Sequence, residues 1–180
     1  LHGLEFKKKD RTRGQLMIEA SASAGFLLAV AYCRLCGWNG LKRDYKKAFD
    51  EFVKIEKETN GYHYAQYMIG DCYDYGNGTE KDLTKAVEWF AKSVEQGNSS
   101  AMVSLAFCYN NGEGVVYDMT KAFELYEQSA LLGHSAGMYN VGTCYEYGTG
   151  VSKDISKAKE WYTKAAAHGS SAAQTKLANP

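Results

Sequence analysis

Apolar and small side chains recur at helical spacing along residues 62–75, stop at a glycine turn, and resume after Asp82. Ile69 and Tyr73 are four residues apart, as are Ala86 and Phe90, so each pair occupies one face of a helix. The pattern predicts a helical hairpin. Its second helix starts at Asp82, whose carboxylate is placed to accept from the unpaired amides of the first turn. Gly97, Gly133 and Gly169 predict the ends of three such second helices, where a left-handed residue is needed without a Cβ clash.

The hairpin repeats. A shift of 36 residues superposes Tyr73, Tyr109 and Tyr145; Gly76, Gly112 and Gly148; Gly78, Gly114 and Gly150; and Asp82, Asp118 and Asp154. The match continues through Ala86, Ala122 and Ala158, and through Trp89, Leu125 and Trp161. An earlier copy matches at a shift of 38 after its turn and 39 before it, with Trp38 and Asn39 ahead of Gly40 and with Glu51 in the tryptophan position. Small residues (Ala65, Ala101, Gly137; Gly70, Ala106, Gly142) stand where two helices must come close, and the aromatics are expected to fill the space between. An isolated helix of about 14 residues is marginal in water, whereas burying a large side chain such as Trp89 or Trp161 is worth roughly 1.5–3 kcal/mol. Stacking is therefore what makes one unit fold. The expected organisation is a degenerate helix or cap over 1–22, with residues 9–21 as a damaged second helix. Units follow over 23–61 (divergent), 62–97, 98–133 and 134–169, and 170–180 is the start of a further unit or a C-terminal cap.

The pattern A-x-x-x-[apolar]-G-x-x-Y-x-x-G-x-G-V-x-x-D-x-x-K-A-x-x-W-[FY]-x-K-[SA]-[VA]-x-x-G resembles the Sel-one-like repeat family, a relative of the tetratricopeptide repeats. The copy AGMYNVGTCYEYGTGVSKDISKAKEWYTKAAAHG carries it most fully, and the resemblance covers residues 23–169 as four units. It implies an all-α, right-handed αα superhelix, a solenoid of about four hairpins, with first helices on the concave wall and second helices on the convex one. It also implies a protein-interaction scaffold or adaptor with no reaction of its own. The alternative is a targeting or regulatory arm of a larger enzyme, such as a kinase, whose catalytic domain lies outside this segment.

Composition narrows the picture a little. Lys plus Arg and Asp plus Glu both number 21, so nothing predicts a nucleic-acid partner or an acidic tail. No apolar run approaches the ~20 residues of a membrane span, so no membrane insertion is expected. The single proline is Pro180, which leaves the turns to glycine. Leu1 in the first position and a break inside a recognisable unit lead us to expect a piece of a longer protein. Five cysteines leave at least one thiol unpaired and fit a reducing, cytoplasmic compartment. The glycosylation patterns at Asn77 (NGT) and Asn98 (NSS) keep a secretory lumen open, although Asn and Ser are also ordinary turn residues.

Candidate chemistry is thin. A phosphate loop needs a strand before its glycines and a helix immediately after, whereas here G-x-G follows a helix and no G-K-[ST] occurs. Cys33-x-x-Cys36 lacks two further zinc ligands at suitable spacing and a βαβ context for redox work. Cys72, Cys108 and Cys144 share one repeat position and read as small buried hydrophobes. His2, His63, His134 and His168 form no i,i+4 pair. Ser156-x-x-Lys159 matches the S-x-x-K of penicillin-recognising enzymes without their S-D-N or K-T-G companions, so the match reads as chance. No catalytic residue, metal or cofactor is assigned.

The resemblance further implies which first-helix positions face the groove: Tyr64, Tyr67, Asp71, Asp74 and Tyr75; Val103, Phe107, Asn110 and Asn111; Tyr139, Thr143, Glu146 and Tyr147. Tyrosine offers large contact area with few rotors, and asparagine both donates and accepts, which suits an extended or helical peptide. Asp71, Asp74 and Glu146 favour a protein or peptide partner carrying Lys or Arg. For Tyr67, Tyr75, Tyr139 and Tyr147 two roles stand open, groove contact or packing between units, because one sequence does not set helix rotation. Tyr73, Tyr109 and Tyr145 are expected to pack. Lys85, Lys121 and Lys157, each three residues before a glutamate, read as a solvated convex face.

Overall fold

The structure is a computed structural model that describes residues 26–178. The described residues form nine α-helices and no strand: α1 (Leu27–Cys36), α2 (Tyr45–Glu58), α3 (His63–Tyr75), α4 (Leu83–Glu95), α5 (Ser99–Asn111), α6 (Met119–Leu131), α7 (Ser135–Tyr147), α8 (Ile155–Ala167) and α9 (Ser171–Ala178). Each helix packs on the next in sequence, and the result is an all-α superhelix. The degenerate helix expected over 9–21 and the first residues of the first unit lie outside the described residues.

Local chemistry sets the helix ends. Asp44, Asp82, Asp118 and Asp154 each accept from the amide three residues on, at 3.0 Å in every case. A cap of this kind is worth about 1 kcal/mol. Asn98 caps α5 by accepting from the amides of Ser100 and Ala101 at 3.0 and 3.1 Å. At the other end, Gly37, Gly76, Gly112 and Gly148 turn left-handed and return their amides to the carbonyls of Cys33, Cys72, Cys108 and Cys144.

The joint between units is built around one tyrosine. Tyr73 meets Phe49 of the preceding unit edge-on at 5.5 Å and 86°, and Tyr145 meets Phe123 at 5.6 Å and 86°. Tyr109 packs in the same cluster as Val87, which occupies the phenylalanine position. The other face of each ring lies under a lysine of its own second helix, Lys85, Lys121 or Lys157, at 5.2–5.4 Å. These lysines therefore pack on the joint as well as meeting solvent. The tyrosine carbonyls also accept from the amides of Asp82, Asp118 and Asp154, which ties each joint to a helix start.

The second glycine of each G-x-G completes the contact. A Cβ on Gly78, Gly114 or Gly150 would collide with the carbonyl of Tyr45, Leu83 or Met119, the first helical residue of the preceding unit's second helix. Within a unit, a Cβ on Gly70 or Gly142 would come within 2.7 Å of the ring of Phe90 or Tyr162. Ser93 and Ser129 reach across the hairpin and donate to the carbonyls of His63 and Ser99 at 2.6 and 2.8 Å.

Two expectations change. Phe52, Phe90, Tyr126 and Tyr162 fill the hairpin interiors, whereas Trp89 and Trp161 stay half-exposed with Lys92 and Lys164 at 4.0 and 4.2 Å above their rings. Each indole thus packs on the core with one part and holds a cation over its ring at the outer face. In the divergent first unit, Arg34 stands at the joint tyrosine's position and pairs with Glu51, which stands at the tryptophan's, at 2.7 Å. The two departures compensate one another.

These contacts separate glycines that look alike in sequence. Gly133 needs a left-handed backbone (φ 85°) but has open space around its would-be Cβ; Gly133→Ala should cost about 1 kcal/mol. Gly114→Ala must also push two units apart, and should cost about 3 kcal/mol when overpacking is added. Urea unfolding followed by circular dichroism checks the order of the two.

Candidate functional site

First helices α3, α5 and α7 present one lengthwise face that the joints leave uncovered, and α5 and α7 also approach each other directly. Tyr75, Phe107 and Tyr147 are 68%, 52% and 64% exposed on that face, and Tyr64 and Asn111 are exposed beside them. Tyr67 and Tyr139 rotate inward: Tyr67 lies 6.0 Å from the Phe90 ring, and Tyr139 lies 5.4 Å from Tyr162. Both remain half-exposed. Val103 packs mainly into the core.

The second and fourth units hold carboxylates at this face under opposite conditions. Asp71 is half-buried, and burial together with Asp74 pushes its carboxyl up to about 6. Burial, then Asp71 itself, raises the Tyr67 phenol to about 12 and moves the Tyr75 phenol in the same direction. Asp74 is also raised, by burial and by Glu113, against the pull of Lys81. Glu146 in the fourth unit is satisfied instead. It accepts from the Tyr162 hydroxyl at 2.6 Å and pairs with Lys176 of α9 at 2.9 Å, which holds it below its usual range. Thr143 stays next to it, 3.2 Å from the same hydroxyl. The third unit has Phe107 and Asn110 at the positions of Asp71 and Asp74, and Asn110 donates to Asn111 at 2.9 Å.

Residues that the sequence reading left out are Tyr32, Ser104 and Lys176. Tyr32 precedes Asp71 by 39 residues, the shift that relates the first helices of those two units, so the repeat alignment alone places it on the face. Burial, then Cys36 and Asp71, raise its phenol. Ser104 of the third unit lies close enough to the Tyr67 phenol to oppose its rise. Lys176 had no such signal, since its partner lies 30 residues away across two helices.

Elsewhere the geometry is plain. Ser156 and Lys159 are exposed on the first turns of α8. None of the five cysteines is in a disulfide, and Cys72 and Cys108 are pushed by burial to about 12, so these two thiols stay protonated. Among the described residues no three His, Cys, Asp or Glu side chains gather as a metal site. Asn98 is 4% exposed with its amide committed to the α5 cap, whereas Asn77 is half-exposed in its turn. No helix among the described residues is long and apolar enough to cross a membrane.

Tandem hairpins joined ring-on-helix in this way define an α-solenoid repeat protein. The chain belongs to the Sel1 repeat family: the Sel1 repeat model matches residues 22–50, 63–98, 99–134 and 135–170. Among solved structures it is similar to a Sel1 repeat protein from Oxalobacter formigenes, 31% identical with a TM-score of 0.77, covering 84% of this chain and 60% of that one. It is also similar to c5321, a protective antigen of uropathogenic Escherichia coli strains with an SLR fold, at 28% identity and a TM-score of 0.75, over 91% and 35% of the two chains. Curated relatives include the ERAD-associated E3 ubiquitin-protein ligase component HRD3A of Arabidopsis thaliana, 32% identical over 66 residues (37% of this chain, 9% of that protein). Another is DAP3-binding cell death enhancer 1 of Mus musculus, 36% identical over 84 residues (44% of this chain, 16% of that protein). The chain thus spans only a small part of the relatives it matches, 9% and 16% of these two.

Asp71 makes the face pH-sensitive. Its folded carboxyl titrates at about 6 against an ordinary 3.8, so it favours folding below about 4, and that contribution is lost as pH rises through about 6. Asp71→Asn should therefore raise the melting temperature at pH 7 by a few degrees, on the order of 1 kcal/mol after solvent screening. The gap should close by about pH 4. Thermal melts of both proteins at the two pH values measure it.

Proposed function

We propose that this segment is a non-catalytic interaction scaffold whose first-helix wall holds an extended or helical segment of a partner protein. The observation that carries the reading is the row of exposed aromatic rings, Tyr64, Tyr75, Phe107 and Tyr147, contributed by three successive units to one face. Rings left uncovered in a contiguous row are the surface that a partner's apolar contacts need. The half-buried rings of Tyr67 and Tyr139, the amides of Asn110 and Asn111 and the Thr143 hydroxyl supply polar contacts between them, with Val103 as the apolar floor. Asp71, Asp74 and Glu146 favour a partner with basic side chains.

The relatives support the general role through their names alone: one is a ligase component and the other is DAP3-binding. Cytoplasm is the compartment we assign, on the strength of an odd number of cysteines, five in all. In a secretory lumen Asn77, and not the buried Asn98, would be the open glycan acceptor.

Replacing Tyr75, Phe107 and Tyr147 together by Ser tests the wall. All three are more than half exposed, so the melting temperature should move by no more than a few degrees, while cross-links from the wall to the partner in the native host disappear. Cross-links that persist, or that map to α4, α6 and α8, would place binding on the opposite side.

A further inference from the structure

The fourth unit contains a bound cation of its own. The ammonium of Lys176, on the first helix of the next repeat position, sits 2.9 Å from Glu146 and 5.9 Å from the centre of the Tyr147 ring. Tyr139 is close enough to share its field. Thus Glu146 and the Tyr147 ring hold a lysine, with the Tyr139 phenol in the same field.

The same three positions in the second unit are Tyr67, Asp74 and Tyr75, at the shift of 72 that two repeats make, and Asp71 stands where the fourth unit has Thr143. Both donors that satisfy Glu146 are missing there. Phe90 replaces Tyr162, so there is no hydroxyl to give, and Ser104 replaces Lys176, so there is no ammonium. The second-unit site therefore keeps the aromatic walls and doubles the negative charge without supplying a counter-ion. Asp71 has no cation among the groups that influence it, and Asp74 feels only Lys81, with which it makes no ion pair within 4 Å. Tyr32 of the first unit and Tyr64 of the second flank the carboxylate.

We propose that Tyr67, Asp71, Asp74 and Tyr75 form a docking site for a lysine side chain of the partner segment, the contact that Lys176 makes in the fourth unit being its template. This rests on the wall being the binding face and adds to it one anchor and its register. The partner's lysine enters between the first and third units, its ammonium shared by the two carboxylates and its methylenes lying on the phenol rings. The third unit, with Phe107 and Asn110 in place of the two carboxylates, takes neutral side chains, and the fourth is already filled.

Two experiments on the whole 180-residue chain test this. Random twelve-residue peptides displayed on phage are panned against it and, in parallel, against the Asp71→Asn/Asp74→Asn variant. Binders should carry a lysine at one fixed position, its change to Met should weaken binding about tenfold at low salt, and the preference should vanish in the variant. Binders that are neutral at every position, or a lysine preference that survives in the variant, would overturn the site.

The second experiment introduces the missing template as Ser104→Lys. The Asp71 carboxyl, followed by carbon-13 NMR, should then titrate well below its starting value of about 6, and the melting temperature at pH 7 should rise. An unchanged titration in a folded variant means that the site does not accept an ammonium, and the proposal fails. If no peptide is enriched and yet Ser104→Lys lowers the titration, the cation site stands and the wall as a peptide-binding face falls.

Discussion

Everything in this molecule depends on a ring wedged between units. A helix of 13 residues, the length of α3 through α8, is marginal alone, and a hairpin of two leaves one apolar side uncovered. Tyr73 and Tyr145 close that side by standing edge-on against the preceding unit and Tyr109 by packing in one cluster with Val87, while the glycine five residues on lies against the first carbonyl of the preceding unit's second helix. Cohesion is therefore between neighbours, and stability grows by interfaces rather than by one central core. The three core clusters follow this rule: Tyr67 and Tyr73 belong to two of them at once, as do Tyr109 and Leu125.

Since the joint consumes only one side of each first helix, the opposite side is free to vary, and it does. Units with the same backbone carry an unpaired acidic face, a neutral amide face and an internally satisfied one, in that order along α3, α5 and α7. On the proposed function, a partner segment would meet different chemistry at the same spacing along the stack. What differs between units is set by a few side chains that touch across the stack, such as Ser104 against Tyr67 and Lys176 against Glu146.

Much of the fold was legible because the deciding interactions are local. The Asp82, Asp118 and Asp154 caps, the left-handed glycines and the hairpin period all act within a few residues, and the repetition of the pattern shows that they are deliberate. The tyrosines of the joint were readable as packing residues for the same reason. Helix rotation was not readable: that Tyr75 and Tyr147 point outward while Tyr67 and Tyr139 lean on Phe90 and Tyr162 is decided by the neighbouring helix. Nor was the second glycine's contact with the preceding unit, since a positive φ already explained it. The carboxylates looked equivalent in sequence, and only the distant Lys176 and the Tyr162 hydroxyl separate Glu146 from Asp71 and Asp74.

The column of Cys33, Cys72, Cys108 and Cys144 places one sealed sulfur in each of four consecutive hairpins, behind the carbonyl that closes its first helix. In a linear stack, fraying starts where a hairpin has a single neighbour and travels inward. The moment a hairpin opens, its sulfur meets water. The chain thus carries its own four-point clock, in which the sequence of thiol exposure records the direction in which the array comes apart.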